Sequence, residues 1–396
     1  MLSIQLQLSD LIIVSAKPVI NYGLDGIYVD ESSISKVDGL NGKLWYRGYS
    51  IESLADQSNY EEVSYLLLNG KLPSSKEYEE FTKKLKGRRD LPKEVIDLIK
   101  VMATKSHPMD VMRTATSMLV MYDKDPNNRE PASTLDEIVT LIAKTASIAA
   151  ATGRFRENKE YIPPDPSLGH SANFLYMLTG KKPNEFESKL IDLMFILHAE
   201  HSTNASTFSV LVTASTLADV YSATTSGIGT LKGPLHGGAD EAALSMMNAI
   251  GDPENTEKYI EEALEGKQRI MGFGHRIYKT YDPRAKIVRR FLDESLAKEP
   301  SDEVKKLLQI ALRAEKMMVE KLGATKGIWP NVDFFAGPLY RVLGIDGHLF
   351  APIFVASRMA GWGSHVVEYW GNNKLVRPVE WYVGSLDLPY VPIAQR

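Results

Sequence analysis

The chain has 396 residues, 44% hydrophobic and 24% charged, with a net charge of −4. That is long enough for two or three domains, or one large and one small, and too evenly balanced for the electrostatic footprint of a nucleic-acid binder. Cysteine is absent, which excludes disulfides, thiolate-held zinc, iron–sulfur clusters and thiol catalysis and fits a reducing cytoplasm.

Residues 1–14 are fairly apolar but lack the basic start and small-residue cleavage site of a secretory signal. They read as part of an N-terminal arm reaching to residue 21. No uninterrupted apolar run reaches the roughly 18 residues of a membrane span, so no crossing is expected. Residues 27–49 carry the strand signal, and Asn41-Gly42 between two such runs predicts a β-hairpin with a tight primed turn. From there the period is helical. Ser50 caps a helix over 51–57, and residues 61–69 form another that ends at Gly70. Pro92 and Pro108 stand at first-turn positions ahead of helices 94–103 and 109–122. The Ala-rich stretches 131–151 and 205–223 read as long buried helices. Residues 224–238 read as a glycine-rich loop. Helices come next at 240–249, 254–264, 283–296, 302–322, 331–342 and 349–369, with an irregular aromatic tail. With no βαβ alternation and no repeat, the fold class is all-α with one small N-terminal β-hairpin.

Several side chains stand in chemically unusual settings. His198 and His201 are three apart, so a helix puts them on one face. They suit a metal pair, core histidines or substrate hydrogen-bonders, but the spacing is not that of HExxH and there is no clear third ligand. His236, in Gly233-Pro234-Leu235-His236-Gly237-Gly238, precedes a helix. The positive helix end opposes its protonation, leaving a neutral imidazole able to donate to a developing enolate oxygen, or simply a turn-filling residue. His275 lies in Gly272-Phe273-Gly274-His275-Arg276 with Lys279 and Arg284 close behind, which suggests an anion-binding loop feeding a helix. It is not a P-loop, and no GxSxG elbow for a serine hydrolase occurs. Asp333, among Val332, Phe334 and Phe335, is either a general base of raised pKa or a helix-cap residue. Arg358 falls in an apolar helix, where a cation needs a buried partner, often a ligand carboxylate. Arg377, in the tail, reads by itself as surface.

In their order these segments resemble the citrate synthase family. Gly272-Phe273-Gly274-His275 through Asp282-Pro283-Arg284 is similar to the family's GxGHxxxxxxDPR stretch; His198-Ala199-Glu200-His201 with Asn204–Thr207, the GPLHGG loop, Asn331-Val332-Asp333, Ser357-Arg358 and Arg377-Pro378 match further positions. The resemblance covers about 22–384 and has one departure, Ser202, where the family usually has Glu.

The resemblance implies a citrate synthase-like fold, with a large helical domain in two segments (1–236 and 341–396) and a small helical domain (237–340) that closes over oxaloacetate. The reaction it implies is condensation of acetyl-CoA with oxaloacetate and water. On the same grounds Asp333 takes a methyl proton, His236 donates to the thioester oxygen and His275 is the acid at the oxaloacetate carbonyl. His201, Arg284, Arg358 and Arg377 bind oxaloacetate, Arg377 coming from the other subunit of a homodimer. Arg269, Ile270, Met271, Gly272, Phe273, Gly274 and Lys279 hold coenzyme A. No metal or other cofactor is needed. Little chain precedes residue 22, so a dimer rather than the NADH-regulated hexamer is expected. The rivals are 2-methylcitrate synthase, using propionyl-CoA on the same scaffold, and a non-catalytic acyl-CoA-binding or helical interaction protein.

Overall fold

The computed structural model describes residues 18–396, so the predicted arm lies outside the described residues up to residue 17. The described chain falls into two compact units. One is Ser32–Lys374; the other joins residues 18–31 to Leu375–Arg396. In the second unit residues 18–31 are exposed and irregular apart from the 3-10 turn Tyr22–Leu24. The tail is irregular, as expected, and leaves Val379, Val383, Leu388 and Tyr390 exposed.

The first unit opens with β1 (Ser35–Asp38), β2 (Lys43–Tyr46) and β3 (Tyr49–Ser50), an antiparallel sheet in that order with Ser35 opposite Tyr46 and Asp38 opposite Lys43. The predicted hairpin is thus part of a three-stranded sheet, and its turn is not the two-residue primed form. Four residues connect β1 to β2, and of Asn41 and Gly42 only Gly42 has positive φ (61°). The Asp38 carboxylate accepts from the Asn41 backbone N and Nδ2 at 3.0 and 2.8 Å. The reason lies elsewhere in the fold. The turn rests on residues 277–281: Lys279 N donates to Gly39 O at 2.9 Å, and a Cβ at Gly39 would stand 2.2 Å from Ile277 O.

The remaining described elements are helices. Ser50 accepts from Ser53 N to start Ile51–Gln57, and Tyr60–Asn69 stops at Gly70 in the left-handed region. Pro108 is the first residue of Pro108–Met118, whereas Pro92 stands just outside Lys93–Ala103 as its cap. Two predictions fail together. The expected helix over 205–223 breaks into Ala205–Ser215 and Val220–Leu231 at Leu217 (φ 61°), and the second piece absorbs half of the expected loop at 224–238. Gly227 sits inside that helix because a side chain there would collide with Val210 and Trp362, at 2.6 and 3.1 Å. Glycine serves close packing here, not a loop. Likewise the 302–322 helix ends at Met318 and continues as a π turn, Val319–Gly323.

Pro131–Arg156, the buried helix expected over 131–151, is long and apolar enough by composition to cross a membrane, and 83% of its most apolar stretch is buried inside the protein. It is the central core helix, packed against Lys93–Ala103, Pro108–Met118, His170–Thr179 and Phe350–Trp370. Phe350–Trp370 in turn carries the chain against residues 199–200: a Cβ at Gly361 would lie 2.3 Å from Ala199 O and 2.4 Å from Glu200 Oε2. Overpacking of this kind costs about 1–3 kcal/mol. Gly361→Ala is therefore expected to lower the unfolding free energy by that amount at an unchanged denaturant slope, measured by urea unfolding.

Candidate active site

The histidine motif at 198–201 closes a helix, Glu185–His198, capped at its start by Asn184 and Glu187 in a reciprocal box. Its two histidines part company. His198 Nδ1 lies 2.8 Å from Met194 O, and its ring meets Phe354 at 4.9 Å. His201, beyond the helix end, turns its Nε2 to the Tyr278 hydroxyl at 3.2 Å and its ring edge to His275, with centroids 5.5 Å apart. They do not act as a metal pair. Instead His198 shares its surroundings with Asp240 and Asp333, whose ligand atoms and its own all lie within 4.8 Å of one another, a set of the kind that can hold a divalent ion.

His236 follows the helix Val220–Leu231, and its Nε2 lies 2.8 Å from Ser206 Oγ, itself 2.8 Å from Asn204 Oδ1. Burial pushes the His236 pKa down to about 4, and the Arg358 cation adds to this. The helix end predicts the same neutral ring; desolvation is the larger cause.

The loops of His275 and Asp333 are joined by backbone. Phe273 and Pro330 form an antiparallel bridge; Gly274 N donates to Trp329 O (2.8 Å), Asn331 N to Gly272 O (3.0 Å) and Asn331 Nδ2 to Gly274 O (3.0 Å). Gly272 is needed twice over: its φ is 78°, and a Cβ would stand 2.6 Å from Phe334. Asn331 then caps Val332–Val342 by accepting from Asp333 N, so Asp333 is a first-turn residue whose cap is its neighbour. The Asp333 charge acts on His198, His236, His275, Arg284 and Arg358, and His198 lies within 4.8 Å of it. Burial lowers the pKa of His275, and more strongly that of His201, with Arg284 as the next cause in both.

The two arginines are buried differently. Arg284 donates from Nε and Nη2 to both oxygens of Asp282 (3.1 and 2.8 Å), and this pairing overcomes desolvation and raises its pKa. Arg358 lies over the Phe354 ring (4.6 Å) and donates from Nε to His198 O at 2.6 Å; its Nη1 is buried without a partner, and burial pulls its pKa down to about 10. A buried guanidinium with an unused donor is a seat for a carboxylate. Of the proposed coenzyme A residues, Arg269 and Lys279 are exposed cations, Ile270 and Gly272 are buried, and Phe273 packs against Phe334 with the rings tilted by 58°.

A family sequence model for "Citrate synthase, C-terminal domain" matches residues 23–379. The chain belongs to the citrate synthase family. It is 44% identical to citrate synthase of Synechocystis over 96% of this chain and 94% of that one. It is 40% identical to "2-methylcitrate synthase 1" of Corynebacterium glutamicum, over 94% and 98%. Citrate synthase of Pyrobaculum aerophilum superposes with a TM-score of 0.88 at 40% identity, covering 95% of each chain. The Thermoplasma acidophilum citrate synthase, solved as a ternary complex with carboxymethyl coenzyme A and oxaloacetate, superposes at 0.90 with 34% identity, covering 96% of this chain and all of that one.

Sequence reading overlooked several residues of this citrate synthase-family site. Asp282 stands in the DPR motif, and Ser206 in the matched Asn204–Thr207 stretch, yet neither shows a role of its own there. Glu200, fully buried, accepts from Ser35 Oγ (2.9 Å) and lies 3.0 Å from His365 Nε2, tying β1 to Phe350–Trp370. Ser202, the departure from the family pattern, has φ 56° and donates its backbone N to the same Ser35 Oγ (3.0 Å). Phe354 and Asp240 carry no local signal beyond their residue type. One consequence is measurable. His198 and His236 have folded pKa values of about 4 against an ordinary 6.5. Between those values the unfolded chain binds protons that the folded chain refuses, so their contribution to stability is whole above pH 6.5 and is lost as pH falls toward 4. Their ring NMR resonances should titrate near pH 4, and the denaturation midpoint should fall through that window.

Proposed function

We propose that this site condenses acetyl-CoA with oxaloacetate and water to give citrate and free coenzyme A, with Asp333 as the base, His236 as the donor to the thioester oxygen and His275 as the acid at the oxaloacetate carbonyl. The observation that carries these assignments is the unpartnered Nη1 of buried Arg358, set with Arg284 among neutral histidines around one carboxylate. Oxaloacetate has two carboxylates, and Arg358 offers one a ready donor. Arg284 keeps Nη1 beyond its two side-chain bonds to Asp282, and His201 completes the seat.

The chemistry rests on the protonation states. The methyl group beside a thioester is weakly acidic, so Asp333 needs the oxygen of the forming enolate stabilised as it takes the proton. A neutral His236 can donate there. Ser206 Oγ, 2.8 Å from Nε2, orients the ring for that purpose. His275 donates to the carbonyl oxygen of oxaloacetate as carbon–carbon bond formation puts charge on it. Water then cleaves the citryl thioester. Each general acid or base supplies about 10²- to 10⁴-fold. Arg269, Ile270, Met271, Gly272, Phe273, Gly274 and Lys279 are the proposed coenzyme A contacts. None of these steps calls on a metal or redox group.

The proposed domain division sets 237–340, which brings His275 and Asp333, against the segments that bring His201 and Arg358. Closing one on the other would exclude water before the enolate meets its electrophile. The proposed assembly is a homodimer in which Arg377 serves the partner's oxaloacetate. The exposed apolar side chains of the tail support it. The cysteine-free composition supports a cytoplasmic location.

Asp333→Asn and His236→Ala are each expected to reduce kcat by about 10²-fold or more while circular dichroism shows a folded chain; near-wild-type kcat in either would remove that residue from its role. Acetyl-CoA should be preferred to propionyl-CoA in kcat/KM, although one methylene provides only about 1–3 kcal/mol of discrimination. The reverse preference would favour the activity named for the Corynebacterium relative. Arg358→Ala and Arg377→Ala homodimers should both be inactive. Mixing them by unfolding and refolding should restore activity, because each mixed dimer then has one intact site; no recovery would argue that Arg377 serves its own subunit.

A further inference from the structure

Beneath the base lies a second carboxyl group that the proposed mechanism does not use. Asp240 is in the first turn of Ala239–Ile250, just past the GPLHGG loop, and only 4% of it is exposed. Its carboxylate and that of Asp333 have oxygens within 4.8 Å of each other, and its Oδ1 is buried without a partner. His198 Nε2, also buried and unpartnered, completes the group. His198 holds its proton on Nδ1, facing Met194 O, so Nε2 presents a lone pair. Three acceptors thus meet with no donor among them if both carboxyls are ionised.

We propose that Asp240 is protonated in the working enzyme and donates its carboxyl hydrogen bond to Asp333, as a positioning residue that keeps the base ionised and aimed. This role rests on the assignment of Asp333 as the base. The first turn of a helix favours an anion at Asp240. Burial and the nearby Asp333 charge act the other way and raise its pKa far above the carboxylate range, with Arg284 opposing them. The other titratable neighbours are His198 and Tyr340, the latter pushed up by burial and by both carboxyls. Two carboxylates this close repel when both are charged, so one proton between them is favoured. Because Asp240 is the more deeply buried of the two, the proton belongs on it, and Asp333, nearer the cleft, stays the acceptor.

The test uses full-length wild type, Asp240→Asn and Asp240→Ala. The isosteric Asn keeps a donor toward Asp333 but cannot ionise; Ala removes the donor. Infrared difference spectra of the wild type at neutral pH should contain the carbonyl stretch of a buried protonated carboxyl, lost in Asp240→Asn. In kcat against pH, Asp240→Ala should move the acid limb up by about one pH unit. Asp240→Asn should keep the wild-type acid limb and lose the wild-type alkaline transition. Absence of the infrared band, or superposable pH profiles in all three proteins, would overturn the proposal. So would a band that appears only after a chelator strips a divalent ion, which would make the trio a metal site. Should Asp333→Asn keep full kcat while the wild-type band is present, the base assignment fails and the shared proton survives.

Discussion

Arg358 sits on a helix whose neighbouring positions are almost all buried and apolar, with one donor on a backbone carbonyl, its face on Phe354 and another donor facing no partner. Withdrawing a guanidinium from water costs several kcal/mol even after relaxation. The fold offsets part of that through His198 O and leaves the remainder for a ligand. Arg284 faces the same cost and meets it with Asp282. The two cations then act on everything around them. After burial itself, one or both of them help hold His198, His201, His236 and His275 neutral. The proposed dicarboxylate seat and the neutral state of the surrounding imidazoles thus follow from one arrangement.

Such an arrangement requires segments far apart in the chain to hold fixed positions. Backbone pairing does much of this. The Phe273–Pro330 bridge and the Asn331 bonds lock the His275 loop to the Asp333 helix, and Gly272 lets Phe334 close over the join. Lys279 N on Gly39 O ties the other end of the same loop to the turn between β1 and β2. Glu200, between His365 and Ser35, anchors the sheet to Phe350–Trp370. These contacts preorganise donors before any substrate arrives, which is where electrostatic catalysis draws its advantage.

The places where sequence reading went astray share a cause. Gly227 looks like a loop former, yet a long-range contact with Trp362 and Val210 requires a small residue inside a helix. Asn41-Gly42 has the composition of a primed turn, but the turn is shaped by its seat on residues 277–281. Helix ends were legible where the signal is local, as at Ser50 and Gly70, because a cap satisfies its own nearby backbone groups.

By itself the sequence determined the helical class, most helix boundaries, and the histidines, arginines and aspartate around which the site is built, since residue type, period and capping are properties of short stretches. It also carried the family resemblance through ordered motifs. Only the tertiary structure decided that His198 and His201 face different ways, that Arg284 is already paired while Arg358 keeps a donor open, and that Asp240 lies against Asp333. Burial and hydrogen-bond partners are set by what comes from elsewhere in the chain, and they decide which of several chemically equivalent side chains holds a proton.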